Sequence, residues 1–406
     1  MTLGAMTLGA MTLAAMTPAA VSRARVAVNL TWMVPGVVGG SEEALTAALR
    51  AMADLDPPDL GLELLVAEGF EKAHPDLAQR FPVRKLPGLV RARPGRILAE
   101  SSWLAAATVS AALVHHAGGT APPVRTAPYL LTVHDLQPLE SDITHGRVKR
   151  LYLAIALPPS VRHARAVVTP SEFVRAAVID RFSVDPGRVI AIPHSQGHRP
   201  PPVAPDVLRD RYRLTGPVIL YPAITYPHKN HVVLVRALAR LVDEHPDAVL
   251  ILTGAEDAAE EALRAEIGRL GLRDRVRRTG RIPAADLVGL YDVAAVVAVP
   301  STYEGFGVPV AEAMSRGAPV VAARAAALPE VVGDAGLLVD PHDPEAWADA
   351  IAGLLADKSR RARLSRAGRA RARRWAPEVV GQAMLDAYRR AIAGGRAAEV
   401  AESPSG

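Results

Sequence analysis

From residue 25 onward, short apolar runs alternate with helix-length amphipathic segments. In the first half the strand-like runs are Arg25–Leu30, Leu62–Ala67, Ala112–His115, Tyr129–His134, Ala166–Thr169 and Val189–Ile192. In the second half they are Val218–Tyr221, Ala248–Leu252, Val276–Thr279, Ala294–Val299, Pro319–Ala322 and Gly336–Val339. Most are apolar throughout instead of alternating, the pattern of strands covered on both faces. Between them, Glu42–Ala53, Glu172–Arg181, Val232–Glu244, Ala258–Leu270 and Glu345–Leu355 read as helices. Such alternation predicts an α/β protein with parallel sheets, and it runs through twice.

The break falls at residues 195–206, SQGHRPPPVAPD, where the prolines make a stiff spacer. Two doubly wound, Rossmann-like domains of similar size follow from this, with a ligand expected in the cleft between the carboxyl ends of their sheets. The expected division is a first domain over 21–198, a linker over 199–213, a second domain over 214–376 and a terminal helix over 377–394. That helix, Pro377–Ala393, is expected to end at Gly394-Gly395.

Residues 1–20 repeat a pentad four times, MTLGA MTLGA MTLAA MTPAA. The segment has no basic region and too little Leu or Ile for a membrane span, so it reads as a disordered leader or an over-called start. No other stretch gives 18 uninterrupted apolar residues, and a soluble protein is expected.

Composition narrows the chemistry. Half of the 406 residues are hydrophobic and mean hydropathy is +0.14, which excludes disorder over most of the chain. The absence of cysteine excludes a disulfide framework, a thiolate-ligated zinc and a thiol nucleophile, and suits a reducing cytosol. The net charge of +5 is spread along the chain, so nucleic-acid binding is a weak reading, whereas phosphates or an anionic membrane face remain compatible. Only five of the 47 basic residues are lysines, which makes a lysine inside a motif informative.

The most specific motif is Ser301–Gly317, STYEGFGVPVAEAMSRG, directly after the run Ala294–Val299. Pro309 suits a helix start and Gly317 its end, so the turn at Gly305-Phe306-Gly307 lies before a helix N-terminus, an anion site suited to a diphosphate. Glu304 sits on that loop, and Glu312 is expected in the first helical turn; each carboxylate can accept two sugar hydroxyls. Tyr221–His231, YPAITYPHKNH, places Lys229 at a strand's carboxyl end, where an ammonium would neutralise a departing diphosphate. His134, in YLLTVHDLQPLE, follows a buried-looking strand and should face the cleft. MVPGVVGGSEE brings Gly39 and Gly40 before a helix with Ser41 as a candidate cap, but lacks the dinucleotide fingerprint. Taken singly, Lys229 also reads as a solvated surface lysine, His134 as a bonded core histidine, and the glycines as a plain strand-to-helix turn.

EGFGVPVAE, with the following GAPVVAARAAALPEVVGDAGLLVDPHDPEAWADAI, resembles the Glu-x7-Glu region of family four of the retaining nucleotide-sugar glycosyltransferases, across nearly all of residues 25–393. The resemblance implies a GT-B fold, with the last helix crossing back to an acceptor-side first domain. It implies that Glu312 binds ribose, that Glu304 binds the donor sugar, and that Phe306, Gly307 and Val308 present backbone amides. It further implies catalytic roles for His134, Glu304 and Lys229, and donor contacts from Gly39, Gly40, Lys229, Gly254, Arg281 and Ile282. The implied activity is retaining transfer of a hexose, of mannosyl or glucosyl type, from a nucleoside diphosphate sugar to an acceptor hydroxyl, without metal or other cofactor. The enzyme would be cytoplasmic, with peripheral contact to the inner membrane face and no nucleic-acid partner. The family often carries a basic residue six positions before the lysine; here that position is Ala223, so a second phosphate contact must come from elsewhere. A sugar-nucleotide epimerase of the same fold is the alternative enzyme reading, and a basic nucleic-acid-binding protein a more distant one.

Two further features carry less. His115-His116 lacks carboxylates at metal-ligand spacing and leaves acceptor contact open. Lys358–Arg374 reads as a solvated helical face whose stems cover apolar surface, with lipid contact open. Deleting residues 1–20 is expected to leave the melting temperature unchanged, because the pentads present no periodic core face. A drop of several degrees in a thermal melt would show that the leader packs on the domain.

Overall fold

The computed structural model describes residues 23–34, 40–87, 102–140, 147–197 and 199–402; the leader and Gly39 lie outside them. The first sheet contains β1 (Ala24–Leu30), β2 (Leu60–Val66), β3 (Val83–Lys85), β4 (Leu113–His116), β5 (Tyr129–Thr132), β6 (Ala166–Thr169) and β7 (Val189–Ala191). The second contains β8 (Val218–Pro222), β9 (Val249–Thr253), β10 (Val276–Gly280), β11 (Ala294–Val299), β12 (Val320–Ala323) and β13 (Leu337–Val339). Their orders are β3-β2-β1-β4-β5-β6-β7 and β10-β9-β8-β11-β12-β13, with every pair parallel. Both sheets reverse winding at their centre, between β1 and β4 and between β8 and β11. Chains leaving neighbouring strands there diverge to opposite faces and open a crevice at the carboxyl ends.

The strands form where the apolar runs predict them because helices cover both faces: every residue of β4, β6, β9 and β12 is buried. β3 escapes the pattern, being three residues long and partly exposed. Most boundaries shift by a residue or a few, and three differences matter more. The β5 strand ends at Thr132, so His134 lies on the loop beyond it. Residues 205–212, expected within a linker, form a helix: Pro205 is preorganised for its first turn, Leu208 is buried, and Arg211 and Tyr212 each donate to Asp286 at 2.6 Å. The last helix continues through Gly394 and Gly395 to Glu402, since two glycines weaken a helix without stopping it when good helix formers follow.

That last helix, Pro377–Glu402, packs on the first domain's Gly40–Leu55 helix. Arg389 grips the Asp59 carboxylate with two bonds of 2.8 Å, and the Tyr388 hydroxyl meets His115 Nδ1 at 2.9 Å. The arginine-rich run forms the helix Lys358–Ala372, and three of its arginines serve as clamps. Arg361 donates to the Leu355 carbonyl at 2.8 Å, Arg371 to those of Glu330 and Val331 at 2.6 Å, and Arg369 to Ser315 at 3.4 Å. These carbonyls belong to the last turns of three other helices, where orphan acceptors and the negative dipole end favour a cation. Among the described residues, no helix is long and apolar enough to cross a membrane.

His115 and His116 on β4, and His231 at the start of the helix His231–Leu241, are buried. Burial pushes the first two down to about 3 and His231 to about 4. The unfolded chain takes up these protons near the ordinary histidine value while the folded chain refuses them. Stability held at neutral pH is therefore lost as pH falls through the unfolded value of 6.5 toward the folded ones, by about 1.4 kcal/mol per pH unit for each histidine. Urea midpoints should be flat above about pH 7 and fall steeply below about pH 6. A flat midpoint down to about pH 4.5 would contradict this.

Candidate functional site

The cleft between the domains encloses about 740 Å³. Of the residues the sequence nominates, His134, Lys229, Gly254, Arg281, Ile282, Glu304, Phe306, Gly307, Val308, Glu312 and Gly40 all line it; Gly39 is outside the described residues.

The second domain supplies two loops from its central strands. After β8, a single 3₁₀ turn, Pro227–Lys229, and a left-handed Asn230 lead into the helix His231–Leu241. After β11, the loop Pro300–Gly307 leads into the helix Val308–Arg316, with Gly307 left-handed at its start and Gly317 left-handed at its end. Glu312 is the fifth residue of that helix, in its second turn instead of the expected first. The loops are fastened together. The buried Tyr221 hydroxyl reaches the Lys229 carbonyl at 3.0 Å and the Ser301 hydroxyl at 2.8 Å, while Thr302 N donates to the His228 carbonyl at 2.8 Å. Lys229 Nζ then donates to Glu304 Oε1 at 2.6 Å, with both side chains largely buried. Gly254, at φ +127°, faces the first of these loops so closely that a Cβ would lie 2.3 Å from the Ala223 carbonyl oxygen.

Glu312 is held deeper. The Tyr291 hydroxyl, kept protonated by burial, donates to its Oε2 at 2.7 Å, and the Arg199 guanidinium lies against its Oε1. Arg199 also donates to Glu43 Oε2 at 2.8 Å. Glu43 lies in the first turn of the Gly40–Leu55 helix, which begins at Gly40, so Ser41 is inside the helix and not its cap. A Cβ on Gly40 would stand 3.8 Å from Val308 Cγ2, which brings the N-termini of two helices face to face across the cleft. Both positive dipole ends therefore lie near this contact, where they would favour an anion.

The first domain contributes imidazoles. His134 Nε2 donates to the Ala117 carbonyl at 2.9 Å, which leaves Nδ1 as an acceptor. That Nδ1 and both ring nitrogens of His194 are buried without a hydrogen-bond partner among the described residues. The His194 ring lies 5.8 Å from that of His134 and 5.4 Å from that of Phe306, so it joins the two walls. Burial lowers His134 and pushes His194 to about 3, so both are neutral near pH 7 and can each hold a hydroxyl. His115 and His116 lie behind this wall, bonded to Thr132 and Tyr388 and to Asn29. Among the described residues no group of three His, Cys, Asp or Glu is placed to hold a metal ion.

Arg199, His194 and Tyr291 are the site residues that sequence reasoning missed. His194 had a signal, since it follows an apolar run that ends at the cleft. Arg199 was hidden in a proline-rich spacer. Tyr291 lies on a neighbouring helix 21 residues before Glu312 and carries no local mark.

Two family models cover the chain: Glycosyltransferase Family 4 over residues 38–195, and Glycosyl transferases group 1 over residues 209–371. The O-antigen chain mannosyltransferase B of Escherichia coli is 31% identical over 282 residues, 68% of this chain and 74% of that protein. The D-inositol 3-phosphate glycosyltransferase of Xylanimonas cellulosilytica is 42% identical over 200 residues, 47% of this chain; the match spans about half, 48%, of that relative's length. Among solved structures, Anabaena HepE in complex with UDP and glucose superposes with TM-score 0.71 at 21% identity, over 90% of this chain and 99% of HepE. Sucrose-phosphate synthase from Thermosynechococcus elongatus also gives TM-score 0.71, at 23% identity, over 91% of this chain and all of that one. The shared architecture is the GT-B fold.

Across the cleft mouth, a Cβ on Gly305 would lie 2.5 Å from the His134 carbonyl oxygen and 3.2 Å from Asp135 Cβ. Since backbone cannot yield as a flexible side chain can, Gly305→Ala should cost about 1–3 kcal/mol and hold the domains apart. The expected outcome is a lowered melting temperature with a larger radius of gyration by small-angle scattering. Wild-type values for both would show that the domains do not meet here.

Proposed function

Since the chain belongs to the group 1 glycosyl transferases, within glycosyltransferase family 4, we propose that it moves a hexose from a nucleoside diphosphate sugar to an acceptor hydroxyl with retention at the anomeric carbon. The observation that carries this reading is the convergence of Lys229, Glu304 and Glu312 on one helix N-terminus inside the interdomain cleft.

In this reading the diphosphate lies at Gly305–Val308, Glu312 takes ribose hydroxyls and Glu304 takes hydroxyls of the hexose. Lys229 then exchanges its bond to Glu304 for one shared with the leaving phosphate. The bond from the anomeric carbon to the phosphate oxygen breaks as the acceptor oxygen bonds to that carbon, and the acceptor proton passes to the released phosphate oxygen. Developing charge falls on Lys229 and the helix amides, preorganised in a partly dry site. His134 accepts from a sugar hydroxyl through Nδ1. Retention rests on the family resemblance. A mannosyl or glucosyl donor is supported by the mannosyltransferase relative and by the glucose in the HepE complex. The cysteine-free sequence and net charge of +5 support work in the cytoplasm against an anionic inner membrane face. Charge neutralisation by protein groups supports turnover without a metal.

Glu312→Gln is expected mainly to weaken nucleotide binding, and Glu304→Gln mainly to lower turnover at saturating donor. Lys229→Ala should lose roughly 10²–10³-fold in turnover, with Lys229→Arg retaining part of the rate, since charge survives while geometry does not. Activity should persist in excess EDTA. Loss of activity in EDTA with recovery on Mn²⁺, alongside near wild-type turnover for Lys229→Ala, would overturn the mechanism; donor isomerised without transfer would favour an epimerase.

A further inference from the structure

Arg199 stands on the segment that joins the domains, between two carboxylates from opposite walls of the cleft. Its guanidinium donates to Glu43 Oε2 at 2.8 Å and lies against Glu312 Oε1. Glu43 is in the first turn of one of the facing helices, and Glu312 is one turn inside the other. The guanidinium is therefore beside the point where the two positive helix ends meet. We propose that Arg199 is the second diphosphate-binding cation of the site, and that it reaches the diphosphate by giving up Glu312 when the donor's ribose arrives. This inference rests on the donor site proposed above.

Two partners compete for one carboxylate. Glu312 is 7% exposed, and one of its oxygens is already taken by the Tyr291 hydroxyl. In that setting the guanidinium lying against Oε1 covers the carboxylate's remaining lone pairs, so a ribose diol reaches them only by displacing Arg199. Ribose hydroxyls replace the lost donors at Glu312, so the carboxylate is not left unpaired in a buried place. The released guanidinium needs an anion, and a planar fork of N–H groups suits phosphate oxygens. The anion position lies between the same two helix ends. Glu43, with its side chain 53% exposed, remains hydrated and can keep its bond to Arg199 or let the guanidinium turn.

The site's other cations leave this role open. Lys229, bonded to Glu304 at 2.6 Å, is already the first diphosphate cation of the proposed site. Ala223, on the loop after β8 and lining the same cleft, supplies no charge. Arg281 also lines the cleft, but its side chain is exposed. Arg199 alone among the described cations in the cleft is held against the proposed ribose carboxylate.

Calorimetric titration of the full chain with UDP, GDP and ADP, and with the matching nucleosides, tests the exchange. With the diphosphate that binds wild type, Arg199→Ala should weaken affinity about tenfold or more. Affinity for the matching nucleoside should hold or rise, because Glu312 is vacated. Arg199→Lys should fall between, and adding Ala223→Arg to Arg199→Ala should recover diphosphate affinity from the opposite wall. Unchanged or tighter diphosphate binding by Arg199→Ala would overturn the proposal, as would equal weakening of diphosphate and nucleoside. Glu312→Gln separates the two levels: if it leaves nucleoside binding unaltered, the donor-site reading itself is wrong. A wild-type chain that binds none of the three diphosphates overturns both.

Discussion

The domains meet at a contact with no side chain on one side of it. Gly305 lies against the His134 carbonyl so closely that even a methyl group would displace backbone. Around it, the Ser171 hydroxyl donates to the Gly305 carbonyl at 2.7 Å, and the Glu330 carboxylate accepts from Glu172 N at 3.0 Å and Phe173 N at 3.2 Å. Glu330 thus caps a helix of the other domain, an ion–dipole contact between the two. Everything described in the cleft depends on this approach. A wider gap would separate the His134 wall from Phe306 and carry Gly40 away from Val308.

With the domains at that spacing, two helix N-termini face one another, and the charges around them explain why the cleft is stable before a ligand fills it. Positive ends with Lys229 and Arg199 between them would repel. Glu304, Glu312 and Glu43 offset this, each paired with one of the two cations. The same carboxylates are suited to hydroxyls, so a nucleoside diphosphate sugar would substitute for both kinds of partner at once, phosphate for carboxylate and hydroxyl for cation. The fold supplies the field through its backbone; side chains hold the two signs in register until they are exchanged.

The fold was legible because it depends on a long-wavelength pattern. Runs such as Val249–Thr253 are apolar at every position because both faces are covered, and alternating them with helices permits little besides parallel sheets. The site was legible where one strand-to-helix connection carries it whole, as Pro300–Arg316 does, with glycines, proline and glutamates at fixed offsets. What remained hidden acts across distance in sequence. Tyr291 marks nothing until the helix Ala284–Val293 is packed beside Glu312, and Arg199 looks like part of a spacer until the domains close on it. The helix Lys358–Ala372 is mostly exposed or half-buried, as read, but the clamping role of Arg361, Arg369 and Arg371 was hidden because their carbonyl partners lie on three other helices. Strand β3, short and half-exposed, had no apolar run to betray it.

The connectivity adds a constraint that neither domain has alone. The chain crosses between domains twice, once along the stretch after β7 and once between Trp375 and Pro377, where the last helix returns to cover the first domain. Tyr388 and Arg389 fasten that helix to His115 and Asp59, so the second crossing is tied to the first domain. Any opening of the cleft must turn about these two crossings, because every other interdomain contact is non-covalent. Arg199 belongs to the first of them. Its side-chain partners and the domain angle are therefore not independent: swinging the domains apart pulls Glu43 and Glu312 from opposite sides of one guanidinium. A ligand that replaces either partner changes what holds the cleft closed, which places control of domain closure at the same point as recognition of the charge it closes upon.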